Sequence, residues 1–109
     1  MLKAIFGSEQ KGKILLFIYT HGDSYPAEIS RELGRYLYGV QNQLKNLERS
    51  GILYSRLRGK VRLYGLNPRY PFKKELEALF EKLLIFVPEA DKAKLYKPRL
   101  RPRLSGKPL

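Results

Sequence analysis

The first strong pattern in the chain is SEQKGKILLFIYTHGD, residues 8 to 23, where a polar start gives way to continuously apolar positions from Ile14 to Tyr19. A Ser side chain can accept from the free N–H groups of a helix start, and Gly can end a helix in the left-handed conformation. The pattern therefore predicts a helix from Ser8 to about His21, closed by Gly22-Asp23. An unbroken apolar run exceeds the single stripe that a surface helix buries. A second buried surface follows, either because the helix is wrapped on every side by its own domain or because it faces another subunit. The next pattern, Tyr25 to Gly51, reads as two helices around a sharp turn: YPAEISRELG, then RYLYGV, then QNQLKNLERSG. Pro26 suits a first helical position, where its missing N–H costs nothing, and Glu28 favours the positive end of the helix dipole. Ile29 and Leu33 share a face, and Gly34 can close the helix. In the second helix Val40, Leu44 and Leu47 recur at helical spacing. That buries one stripe and turns Leu37, Tyr38, Gln41, Asn42 and Lys45 outward.

Two β-rich runs come next, Ile52 to Leu57 and Val61 to Leu66, separated by Arg58-Gly59-Lys60. They predict a hairpin. With those three residues as the loop, Leu57 faces Val61, Ser55 faces Leu63, Tyr54 faces Tyr64 and Arg56 faces Arg62. Opposed like charges destabilise a sheet. Arg56, Arg58, Lys60 and Arg62, with no acid among them, thus imply an external anion, phosphate being the natural one. Asn67-Pro68 stops the second strand, and Pro71 predicts a helix running to about Phe86, before Pro88. Phe72, Leu76, Leu79, Leu83 and Phe86 form a band wider than one contact requires, which fits either core packing or a dimer helix. From Glu89 the composition shifts to Pro, Lys and Arg with little apolar periodicity and reads as an extended tail. The expected organisation is a folded domain over residues 1–88 and a basic tail over residues 89–109.

Charge sharpens the picture. Lys and Arg number 22 against 10 acids, a formal net charge of +12, with a pI near 10.1. Such a field attracts a polyanion. Residues 89–109 hold +5 of that charge, so the body is basic in its own right. Membrane surfaces are also anionic, but no run approaches the roughly 18 apolar residues of a spanning helix. The N-terminal Met1 to Gly7 segment is too short for a secretory signal, which points to the cytoplasm. Cysteine is absent, so disulfides and thiolate metal sites are excluded, and His21 lacks the companions a metal site needs. No nucleophile and base set, paired carboxylates or phosphate-cradling loop is visible. Neither an enzyme nor a cofactor is expected.

Ala27-Glu28-Ile29-Ser30-Arg31-Glu32-Leu33-Gly34, then Val40, then Gln41 through Leu53, resembles the winged helix-turn-helix of ArsR-type bacterial regulators, and the likeness extends more loosely from Ile5 to about Phe86. Tyr36 departs from the family's usual small hydroxyl residue at the start of the recognition helix. The resemblance implies a mostly α fold with a β-hairpin wing. Ile5-Phe6-Gly7-Ser8 followed by Lys13-Ile14-Leu15-Leu16 also looks like the opening of winged-helix domains that precede nucleotidyltransferase domains. Asp23 and Asp91, the only aspartates, stand apart, so that likeness concerns the DNA-binding module alone.

Residue chemistry and resemblance converge on a sequence-specific, double-stranded DNA-binding transcriptional regulator acting as a homodimer. Gln and Asn can pair with adenine edges in a major groove, and Lys with guanine or phosphate. Leu37, Tyr38, Gln41, Asn42 and Lys45 would enter the groove, and Arg56, Arg58, Lys60 and Arg62 would contact phosphates. In the tail, Pro98-Arg99-Leu100-Arg101-Pro102 resembles an AT-hook core with Leu100 in place of glycine. A leucine side chain hinders insertion into a minor groove about 6 Å wide, so the expectation is that Arg99, Arg101 and Arg103 form an arm along phosphates or that the tail packs on the partner subunit through Leu95, Tyr96, Leu100 and Leu104. Two other classes fit the charge: an RNA- or ribosome-associated basic protein, and a partner-binding adaptor.

Overall fold

The computed structural model describes residues 1–97. Arg99, Arg101, Arg103, Leu104 and the hook-like Pro98 to Pro102 stretch lie outside the described residues. The order of elements is α1 (Leu2–Phe6), α2 (Glu9–His21), α3 (Pro26–Leu33), α4 (Leu37–Arg49), β1 (Leu53–Arg58), β2 (Val61–Leu66), α5 (Lys73–Ile85) and α6 (Glu89–Leu95).

Helix α2 is the hub. Ser8 caps it, its Oγ accepting from the Lys11 N–H at 3.2 Å. Ile14, Leu15, Leu16, Phe17 and Ile18 are all buried within one chain, because α1, α3, α5 and β2 each pack against α2. The two explanations left open by its apolar run are thereby separated. Its apolar run from Ile14 to Ile18 is wrapped by its own domain. His21 stacks on Phe17 with ring centroids 3.9 Å apart, and its Nδ1 lies 3.1 Å from the Phe17 carbonyl.

Helix α3 starts on Pro26 and ends at Gly34, as expected from local chemistry, with Ile29 buried. Helix α4 starts with Tyr36 at its N-cap position, the place the resemblance gave it, and takes in the last four residues of the RYLYGV stretch. Leu37 is already helical, leaving Gly34, Arg35 and Tyr36 between the helices. Starting there places Val40 one turn before Leu44, so both reach the core beside Leu47.

The hairpin departs from expectation by one residue. Its loop is Gly59-Lys60, and the register pairs Arg58 with Val61, Leu57 with Arg62, Arg56 with Leu63, Ser55 with Tyr64 and Tyr54 with Gly65. Gly59 has φ 66° and no non-glycine residue has positive φ among the described residues. Positive φ at the first loop position alone is the pattern of a type II′ turn, whose twist matches paired strands. Arg56 therefore does not oppose Arg62. Ser24, between α2 and α3, adds an isolated bridge to β2 from outside the hairpin, its N–H and C=O each bonded to Tyr64 at 2.9 Å.

Helix α5 begins at Lys73, and Pro71 lies in the turn before it. Phe80 and Leu83 enter the core, while Phe72, Ile85 and Phe86 stay exposed. The expectation of extended chain from Glu89 is corrected over α6. Glu89 and Asp91 in its first turn and Lys92 and Lys94 in its last complement the helix dipole. Tyr96, just after α6, is buried with the core, an anchor that averaging composition over a Pro-rich segment conceals.

Burial pushes the Tyr96 phenol up to about 12, and the charges of Asp91 and Glu9 add to it. Folding thus favours the neutral phenol. Its contribution to stability is fully present below the ordinary value of 10.0 and is lost as pH rises towards about 12. Thermal unfolding across that range should therefore fall less steeply for Tyr96→Phe than for the parent chain. Equal slopes would mean that the Tyr96 ring is not buried.

Candidate nucleic-acid interface

The buried stripe of α4 leaves its other side open. Asn42 and Lys45 are exposed, Gln41 is partly exposed, Leu37 is 41% exposed and Tyr38 is 76% exposed. All five residues expected to face a groove therefore lie on the solvent side of one helix. Tyr36 precedes them, 91% exposed, and its side chain makes no capping hydrogen bond. The departure from a small hydroxyl cap has a physical consequence. The N–H groups of Leu37, Tyr38 and Gly39 have neither an intrahelical acceptor nor a side-chain cap, and no acid stands in the first turn. Unfilled donors at the positive end of a helix dipole suit an anion.

The wing cations are not one cluster. In the observed register Arg56 and Arg58 lie on one face of the hairpin, Arg62 on the other, and Lys60 in the turn. The inference of an external anion from opposed Arg56 and Arg62 falls with the register. Nor is the wing without acids in three dimensions. Asp23 Oδ2 accepts from Tyr54 Oη at 2.5 Å and from Arg56 Nε at 3.5 Å. On the opposite face Glu48 Oε2, from α4, accepts from Ser55 Oγ at 2.6 Å, and Ser55 Oγ in turn accepts from Arg62 Nη1 at 3.1 Å. The hydrogen bond to Asp23, followed by burial, raises the Tyr54 phenol above its ordinary value. Tyr64 is also raised, by burial first and then by the Glu48 charge. The tip carries exposed Leu57 and Val61.

Asp23, Glu48, Tyr54 and Ser55 were not legible as site residues. Asp23 and Tyr54 stand 31 positions apart, and no local spacing signals such a pair. Among the described residues no group of three or more His, Cys, Asp or Glu side chains is placed to hold a metal ion. No helix of the described chain is long and apolar enough to cross a membrane.

Comparison with solved structures agrees with this architecture. MepR, a transcription regulator of the Staphylococcus aureus multidrug efflux pump MepA, superposes with a TM-score of 0.59 at 21% identity, over 84% of this chain and 74% of that one. A transcriptional regulator of Thermotoga maritima gives a TM-score of 0.57 at 22% identity, over 85% and 72% of the two chains. A variant of Lactococcus lactis ZitR gives 0.57 at 20% identity, over 83% and 76%. At such identities the likeness is one of fold, and the fold is the winged helix. No protein-family model and no curated protein sequence matches the chain.

Proposed function

We propose that the chain is a cytoplasmic, sequence-specific double-stranded DNA-binding transcriptional regulator without catalytic activity. The first turns of α4 would lie in the major groove, and the wing cations on the phosphate backbone. The observation that carries this reading is the α4 surface. A helix held by Val40, Leu44 and Leu47 presents two amides, a cation, a phenol and an aliphatic group to solvent, beside a cationic hairpin in a chain of charge +12. Amides suit adenine, the cation suits guanine or phosphate, and Leu37 can meet a thymine methyl. The same side chains have little use in the deep, narrow major groove of A-form RNA. That the solved neighbours are transcription regulators supports the same class, and the Ala27 to Leu53 pattern supports an ArsR-type member of it.

After selection of a preferred duplex, Gln41→Ala or Asn42→Ala should each cost about 1–3 kcal/mol on that duplex and almost nothing on random DNA. Competition titrations measure both. Equal losses on the two DNAs would show that this face reads no bases.

We also propose a homodimer, now without the Ile14 to Ile18 run of α2. Its support is the apolar surface left on and beside α5 by Phe72, Ile85 and Phe86. A two-fold arrangement would space the α4 helices for half-sites about 34 Å apart or a multiple of that. Sedimentation equilibrium at micromolar concentration should give twice the mass of one chain. The mass of one chain would remove the dimer and leave the DNA reading standing.

A further inference from the structure

A two-stranded hairpin is marginal on its own, so the direction in which this wing points must be set by what grips its base. Two carboxylates do so, one on each face. Asp23 reaches Tyr54 and Arg56 on one side, and Glu48 reaches Ser55, and through it Arg62, on the other. The first grip is sterically closed as well. A Cβ at Gly65 would collide with the Asp23 carboxyl and come within 3.0 Å of the Tyr54 ring, so Asp23 sits flat on the strand only because residue 65 lacks a side chain. The adjoining Ser24 is joined to Tyr64 by two backbone hydrogen bonds. The second grip ties the wing to α4 itself. Together they link the hairpin to the start of α3 and to the end of α4, the two helices whose relative placement defines the α4 surface.

We propose that Asp23 and Glu48 are positioning residues that clamp the wing at a fixed angle to α4, and that these two acids thereby strengthen DNA binding although their charges oppose it. The proposal rests on the DNA-binding reading above. It has a sign that simple electrostatics does not share. Near a polyanion, removing a negative charge should tighten binding. If the clamp determines whether the wing reaches phosphates, removing the same charge loosens binding and reduces the number of phosphates contacted.

The test uses the full chain and three variants: Asp23→Ala, Glu48→Ala and Tyr54→Phe. The last removes one donor to Asp23 without altering any charge. Dissociation constants for one fluorescent duplex are measured over a range of salt. Each variant should bind about three- to tenfold more weakly at 50 mM salt. The slope of log affinity against log salt should shrink by about 1–2, as expected when one or two phosphates are no longer neutralised. A partly unfolded variant would lose active protein without changing that slope, which separates positioning from mere stability. Tighter binding, or weaker binding with the parent slope, overturns the clamp. Hydrogen exchange provides an independent reading. In Asp23→Ala and Glu48→Ala the amides of 53–66 should exchange faster while those of 40–47 keep the parent rate. Unchanged wing exchange overturns the proposal by itself. Should the parent chain fail to bind duplex at 50 mM salt, the DNA reading falls, and the role of the acids in DNA binding falls with it.

Discussion

Raising salt from 50 to 200 mM is expected to weaken binding of the chain to duplex DNA by about 10³–10⁵-fold. That is the loss for a protein that neutralises about 6–10 phosphates and releases their counterions. The expectation rests on how the charge is distributed as well as on its sum. Of the +12, residues 89–109 hold +5, so the body is cationic without its tail. Arg56, Arg58, Lys60 and Arg62 project from a narrow hairpin beside the α4 surface, and Lys45 projects from α4 itself. The pairing of Arg56 with Asp23 does not remove it from this count. That side chain remains 46% exposed, and a guanidinium with five donors can hold one carboxylate and still offer N–H groups to a phosphate. Fluorescence anisotropy titrations on a labelled duplex measure the effect directly. Affinity that stays level across this range would remove phosphate neutralisation as the basis of binding.

Phe17→Ala should destabilise the fold by about 3–5 kcal/mol, the usual cost of emptying an aromatic site in a core that cannot collapse around the gap. Phe17 has no exposed surface, and it lies in the middle of α2 between other fully buried side chains. Its ring stacks on His21 at an interplanar angle of 8°, so the substitution also removes the support that orders the end of α2, just before Asp23 and Ser24. Small domains have about 5–15 kcal/mol of stability in total. A single core change of this size should therefore shift the urea midpoint strongly and, at physiological temperature, empty much of the DNA-binding population. A loss below about 1 kcal/mol would contradict α2 as the hub. A variant such as Lys94→Ala on exposed α6 should by contrast stay within about 0.5 kcal/mol.

The two results would test different levels of the same molecule. The salt dependence reads a surface whose residue types are visible one by one. The Phe17 result reads a core whose existence depends on four elements meeting around one helix. Leu15, Phe17 and Ile18 could have been a subunit face on sequence grounds, and only the positions of α1, α3, α5 and β2 decide that they are not.

What the sequence determined by itself is what chemistry within about one helical turn can specify. Ser8 capping α2, Pro26 opening α3, Gly34 closing it, and Val40, Leu44 and Leu47 as the buried stripe of α4 all follow from interactions between residues at most four positions apart. The solvent face of α4 was legible for the same reason, since a buried stripe defines its opposite. Tertiary structure decided the rest. The hairpin register depended on whether the loop takes two residues or three, and local propensity is nearly indifferent between them. The bridge from Ser24 to Tyr64 and the carboxylates on the two faces, Asp23 at Tyr54 and Glu48 at Ser55, break the tie, because a slip of one residue would turn Tyr54 and Ser55 away from those partners. Helix α6 forms where composition suggested extended chain, because Leu95 and Tyr96 gain burial that no local window displays. Asp23 and Glu48 came to the base of the wing only when the fold closed, since a hydrogen bond between residues 31 positions apart is set by the packing between them.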